Sequence, residues 1–147
     1  MPNWAYNNEV IYGPEKEIEE LYEKLKEWTS KNQIENGFGT KWIGNIVICA
    51  GFKAGSRYHY GKEPDPNELD CRGRIINDFD MMKDEDGYAK ITFSSKTAWG
   101  EFSYTWDTIL AKHAPHCKYY FMSEEYGMCI FVKRDYKDIF FPFDYNV

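Results

Sequence analysis

An Asp-Gly pair at residues 86 and 87 lies between two stretches that alternate apolar and polar residues, and no other feature narrows the fold as much. From Cys71 to Met82, Gly73, Ile75, Asn77, Phe79 and Met81 fall on one face, and Arg72, Arg74, Ile76, Asp78 and Asp80 on the other. Beyond the pair, Ala89, Ile91 and Phe93 make the apolar face of a second run. Strand side chains alternate with a period of two, and Asp-Gly suits a type I′ turn, so a long antiparallel hairpin is predicted here.

The flanking segments extend this pattern. Asn3 to Tyr12 is rich in aromatic and β-branched residues and reads as a strand ending at Gly13-Pro14. A helix is expected to open there, with Gly13 as N-cap, Pro14 in the first helical position, and Glu15 and Glu17 at the positive end of the dipole. Ile18, Leu21, Tyr22, Leu25 and Trp28 recur at helical spacing. After the hairpin, Phe102, Trp106, Ile109, Leu110 and His113 mark a second amphipathic helix with Pro115 just beyond it. Tyr119 to Met122 and Met128 to Val132 read as strands joined by SEEYG, where Gly127 can supply a positive φ. The apolar closing stretch DIFFPFDYNV is expected to pack on the domain or on a partner.

Strand, helix, hairpin, helix, strand is the order of a ferredoxin-like split βαβ arrangement. The prediction is therefore a single α+β domain over residues 1–147, with a mostly antiparallel sheet and two main helices on one face. An inserted loop precedes the hairpin and an extra C-terminal strand follows the last helix. Ile43, Ile46, Val47 and Ala50 fit a helical stripe while their β-branching favours a strand; a short helix is the reading adopted. Lys53 to Asp70 has no sustained period and is read as a lid or contact loop.

The 147 residues carry a net charge of −6, which works against nonspecific binding to a phosphate backbone. No apolar run approaches a membrane span, and the N-terminus shows no secretory pattern, so a cytoplasmic protein without a membrane role is expected. Its four cysteines show no CxxC pairing and are read as reduced thiols.

MPNW, GTKW with WIGN, CRG, KTAWGEF and SEEYG, in this order, resemble the YubB-like ferredoxin-fold group of small phage and plasmid proteins, over most of the chain. Gly100-Glu101 stands where that group often has prolines after TAW, and Tyr126 where it often has a proline before the glycine. The resemblance implies the fold and a mobile-element setting in a bacterial host; it implies little chemistry.

Candidate site residues follow from position and type. Thr97-Ala98-Trp99 lies where the hairpin yields to the helix; Thr97 is read as a backbone cap and Trp99 as closing the core, with ligand stacking as its second role. Glu124 and Glu125 are a carboxylate pair, read as turn residues with Glu124 the better acid/base candidate. Arg72 can hold a carboxylate or phosphate, or pair with Asp78 or Asp80. Cys71 has no local base. His113, His116 and Cys117 lack the spacing of a zinc site, DMMKDEDG lacks that of a calcium loop, and the thiols lack that of an iron–sulfur cluster, so no metal or other cofactor is expected. Arg57, Tyr58 and Tyr60, with Lys53, His59 and Lys62, mix charge and aromatic rings as single-strand binders do.

Three functions compete. The leading one is a noncatalytic binding protein acting on a host protein or complex, as in counter-defence of the anti-CRISPR type. The alternative is a small enzyme or nucleotide-binding domain with a pocket where Trp42, Asn45, Arg72, Thr97, Trp99 and Glu124 meet, including a strongly shifted carboxylate. The third is single-stranded nucleic-acid binding through residues 53–62.

Overall fold

The computed structural model describes residues 3–30, 38–55, 63, 65–135, 137 and 139–141. They form an α+β fold with a mostly antiparallel sheet. Its central strand is β1 (Trp4–Pro14), whose alternate residues Ala5, Asn7, Glu9, Ile11 and Gly13 are all buried on one face. On one side β1 pairs antiparallel with β6 (Tyr88–Ala98), in register from Trp4↔Ala98 to Pro14↔Tyr88. On the other it pairs with β7 (Lys118–Glu125), from Ala5↔Glu125 to Tyr12↔Lys118. β8 (Ile130–Arg134) extends the sheet beyond β7. β4 (Gly73–Ile75) and β5 (Asp80–Lys83) both pair with the far side of β6.

The hairpin exists, but its first strand is broken. Ile75 stands opposite Ser95 and Asp80 opposite Thr92, so five steps on one strand oppose three on the other. The surplus is accommodated at residues 76–79, where the Asn77 side-chain carbonyl accepts the Ser94 N–H at 2.7 Å in place of a backbone partner. The alternation read across Cys71 to Met82 fails there: Asn77 is exposed, while Phe79 stays buried. At the tip, Asp86 and Gly87 adopt φ of 62° and 78°, as the turn chemistry predicts.

α1 (Glu15–Ser30) buries Ile18, Leu21, Leu25 and Trp28. It starts one residue later than predicted, because Gly13 and Pro14 belong to the strand. A Cβ on Gly13 would lie 2.5 Å from the Cys117 sulfur, and a proline at the last strand position gives up no interior ladder bond. α2 (Ile43–Cys49) is helical and buries Ile43, Ile46 and Val47. Residues 53–70 are not uniformly loop: β2 (Lys53–Gly55) and β3 (Glu68–Asp70) form a small parallel pair. α3 (Ser103–His113) buries Trp106, Ile109 and Leu110. In the last hairpin the positive φ falls on Cys129, at 56°, and not on Gly127. Gly127 is required for room instead, since a Cβ there would meet the Asn3 and Glu125 side chains within 3 Å.

The core lies between the helices and the odd-numbered faces of β1, β6 and β7. On the opposite face Phe140 packs on Tyr12 and Tyr120, with centroids 5.5 and 4.9 Å apart. The buried Asp135 carboxylate holds that segment by accepting the Phe140 and Phe141 N–H groups at 2.8 and 2.9 Å. Among the described residues no helix is long and apolar enough to cross a membrane.

Gly73 fixes how closely β4 approaches β6. A Cβ there would stand 2.3 Å from the Lys96 backbone carbonyl oxygen, which cannot swing away as a side chain could. Gly73→Ala is expected to cost about 1–3 kcal/mol by urea denaturation, the usual penalty for overpacking.

Candidate functional site

The buried face of the three central strands changes character along its length. At one end it is apolar, with Ile11, Ile91 and Tyr119; at the other it carries Asn7, Ser95, Thr97, Ser123 and Glu125, all buried. Glu9 stands between these ends and is 2% exposed. Polar groups removed from water need partners, and here strand register supplies them: Asn7 lies opposite Ser95 on one side and Ser123 on the other.

The Asn7 amide donates to the hydroxyls of Ser95 at 3.1 Å and Thr97 at 2.9 Å. Ser95 donates onward to Glu9 Oε1 at 2.9 Å, and the Tyr119 hydroxyl donates to the same oxygen at 2.8 Å. Thr97 donates to the Gly100 carbonyl, outside the sheet. Trp106 roofs the cluster, its ring 4.9 Å from Phe93 and 6.0 Å from Tyr119.

Burial pushes the Glu9 carboxyl up to about 8; its bonds from Tyr119 and Ser95 oppose that, and the nearby Glu101 charge adds to it. Tyr119 is raised well above its usual range, chiefly by burial and then by Glu9. A cation lies to one side: Arg134 sits 5.9 Å from the Tyr119 ring and is held bidentately by Asp107 at 2.8 and 3.0 Å.

Beyond Thr97 the chain turns sharply. Trp99 has a φ of 70°, rare for a bulky side chain, and its N–H donates to the Asn3 carbonyl at 2.8 Å. It is 56% exposed, so it does not close the core as its junction position suggested. Phe102 and Trp106 are the buried aromatic residues there, because the left-handed turn at residue 99 throws the indole outward. Trp99 forms one wall of a cleft of about 540 Å³, opposite Gly55 and the Asp70–Arg72 segment. Glu101 lies on the same wall, where its carboxylate accepts the Ser103 N–H at the start of α3.

Arg72 is exposed and supplies a cation to the cleft that Trp99 also lines. The Cys71 thiol is pushed up to about 11, mainly by burial and then by Asp70, and donates to the Gly55 carbonyl at 3.6 Å. A thiol held protonated in this way is no nucleophile at neutral pH.

Of the nine predicted site residues, Arg72, Thr97 and Trp99 are brought together, with Thr97 bracing the wall from within. Asn45 is buried at the start of α2 and donates to the Thr40 carbonyl at 3.0 Å. Trp42 bridges to Arg74, its ring lying where a Cβ on Gly44 would stand. Both stabilise the entry to α2 and do not line the cleft. Glu124 is on the other face of the sheet, bonded by the Tyr126 hydroxyl at 2.5 Å. The six-residue pocket expected at one end of the sheet is therefore split between two faces. Glu125 faces the helix side and accepts the Gly127 and Met128 N–H groups, each at 2.8 Å, as a turn residue does. Arg57, Tyr58 and Tyr60 lie outside the described residues.

His113 packs edge-on to Trp28 at 5.0 Å, with its Nε2 2.8 Å from the Ala50 carbonyl. The four cysteines are free thiols, and among the described residues no three His, Cys, Asp or Glu side chains are placed to hold a metal. Sequence reading passed over Asn7, Glu9, Ser95, Tyr119 and Glu101. The available signal was polarity on an apolar face: in Ala5, Asn7, Glu9, Ile11 every second residue points inward, and two of them are not apolar. Comparison with family models, with curated proteins and with solved structures finds no match.

Proposed function

We propose that the chain is a noncatalytic binding protein that grips a partner macromolecule through the Trp99 cleft. One observation carries this reading: an exposed indole is held at a φ of 70° in the wall of a concave site. Backbone strain at a bulky residue costs roughly 1–3 kcal/mol and persists where the surroundings enforce it, often where function needs the side chain presented. Trp and Arg, here Trp99 and Arg72 lining one cleft, are residue types enriched at binding hot spots.

The finer fold reading belongs to the same proposal. The strand order β7-β1-β6-β4, with α1 and α3 as the connections between strands on one face, supports a ferredoxin-like split βαβ arrangement with β8 added at the edge. Its resemblance to phage and plasmid proteins makes a host protein, met in the bacterial cytoplasm, the partner of choice, with counter-defence the corresponding role.

A small enzyme is the second reading, favoured by a single observation, the raised carboxyl of Glu9. Against it, that carboxyl is 2% exposed and its bonds run to Tyr119 and Ser95, not into the cleft. Nucleic-acid binding through residues 53–62 predicts affinity that falls steeply with salt.

Trp99→Gly tests the leading reading. Glycine accepts φ of 70° freely, so the variant is expected to gain about 1 kcal/mol in urea denaturation. Affinity capture from a bacterial host lysate is expected to recover a partner with wild type and at least tenfold less with Trp99→Gly. Equal recovery by both proteins would remove the cleft from the binding surface.

A further inference from the structure

The polar cluster under α3 leaves two acceptors without a hydrogen. Glu9 Oε2 and Asn7 Oδ1 are both buried acceptors with no donor. Every side-chain hydrogen of Asn7, Ser95, Thr97 and Tyr119 is already committed, two from the amide and one from each hydroxyl. The Ser123 hydroxyl, opposite Asn7 on β7, and the Trp106 Nε1–H are the further donors of the cluster, and neither bonds Glu9 Oε2 or Asn7 Oδ1. Two orphaned acceptors in one cluster, on strand neighbours two residues apart that share the Ser95 hydroxyl, are satisfied together when one of them becomes a donor.

We infer that Glu9 carries a proton on Oε2 and donates it to Asn7 Oδ1, closing a hydrogen-bonded chain that ends at Gly100 and couples the wall of the Trp99 cleft to pH. The chain runs from Tyr119 through Glu9 to Asn7, from Asn7 to Thr97, and from Thr97 to the Gly100 carbonyl beside Trp99. Only the link between Glu9 and Asn7 is missing while the carboxylate is charged, and a proton supplies it. Loss of that proton leaves two acceptors facing one another. Asn7 must then turn its amide, which withdraws its hydrogen from Thr97 and frees the bracing of Gly100.

The groups around Glu9 leave the neutral form favoured. Tyr119 on β7 and Glu101 before α3 face it, Asp107 on α3 neutralises Arg134 on β8, and the β6 neighbour Ser95 is uncharged. Burial therefore acts on Glu9 without a directly paired cation, in agreement with its raised carboxyl. As a control of binding this rests on the cleft being the binding site; the proton and its coupling to Trp99 do not.

The experiment is a pH titration of protein labelled with ¹³C at glutamate carboxyls and ¹⁹F at tryptophan. One carboxyl is expected to titrate near pH 8 and to be missing in Glu9→Gln, whose amide mimics the protonated acid. The Trp99 resonance, assigned by its loss in Trp99→Gly, is expected to shift with the same midpoint in wild type and to stay fixed in Glu9→Gln. Asn7→Ala, which removes the acceptor, is expected to lower the carboxyl midpoint. A Glu9 carboxyl that titrates in the ordinary range, a midpoint indifferent to Asn7, or a Trp99 signal that ignores Glu9 would overturn the inference. No partner enters any of these readings, so they stand or fall separately from the capture experiment.

Discussion

Glu9→Gln is expected to make the protein more stable at neutral pH, by about 3 kcal/mol at pH 7, with the gain vanishing near pH 4. In the unfolded chain this carboxyl has its ordinary value of 4.5, and in the folded protein burial raises it to about 8. Between those values the folded state binds a proton that the unfolded state does not. Wild-type stability is therefore full below about pH 4.5, falls as pH rises towards 8, and is level above it, by about 1.4 kcal/mol per pH unit at the steepest. Glutamine keeps an acceptor oxygen, puts an N–H donor where the protonated acid has its O–H, and has no such slope. The measurement is urea denaturation of both proteins from pH 4 to 9, taking the difference so that other titrations cancel. Parallel curves across that range would mean that Glu9 ionises alike in the two states.

Trp106→Ala should be the most damaging single substitution in the fold, at about 3–5 kcal/mol. Its indole is 1% exposed and bridges Phe93 of β6 to Tyr119 of β7, so truncation opens a cavity over the middle of the sheet. Trp106→Phe is expected to cost much less, because it keeps most of the ring and removes a buried N–H that has no partner. The two variants separate packing from polarity. Trp106→Ala also exposes Glu9 to water, so its carboxyl midpoint should drop towards the ordinary range. If alanine and phenylalanine proved equally harmful, packing under α3 would not be what the indole provides.

Much of the architecture was legible, because each element announces itself by periodicity. Ile18, Leu21, Leu25 and Trp28 specify α1, and Asp86-Gly87 specifies the hairpin tip, through local chemistry alone. What escaped the sequence depends on partners distant in the chain. Nothing near Asn77 reveals that its side chain will replace a backbone partner for Ser94. Nothing near Trp99 reveals that Asn3 will take its N–H and hold it at positive φ. The same applies to the site. Arg72, Thr97 and Trp99 were picked by residue type and position, and they do converge, while Glu124 was misplaced because one step along a strand exchanges faces. Glu9 was missed because its environment is made by Ser95 and Tyr119, some 86 and 110 residues further along the chain.

The central position of β1 bears on how the chain is made. The strand at the middle of the sheet precedes both of its neighbours, and its ladders to β6 and β7 cannot begin to form until residues 88–98 and 118–125 exist. A ribosome therefore releases β1 well before anything can pair with it, whereas β5 and β6 need only their own turn. Such non-local closure is slow and leaves an unpaired strand open to wrong neighbours. Asn7 and an ionised Glu9 make that waiting strand a poor template for aggregation. The same carboxylate that keeps β1 soluble while it waits takes up its proton only when the sheet closes around it.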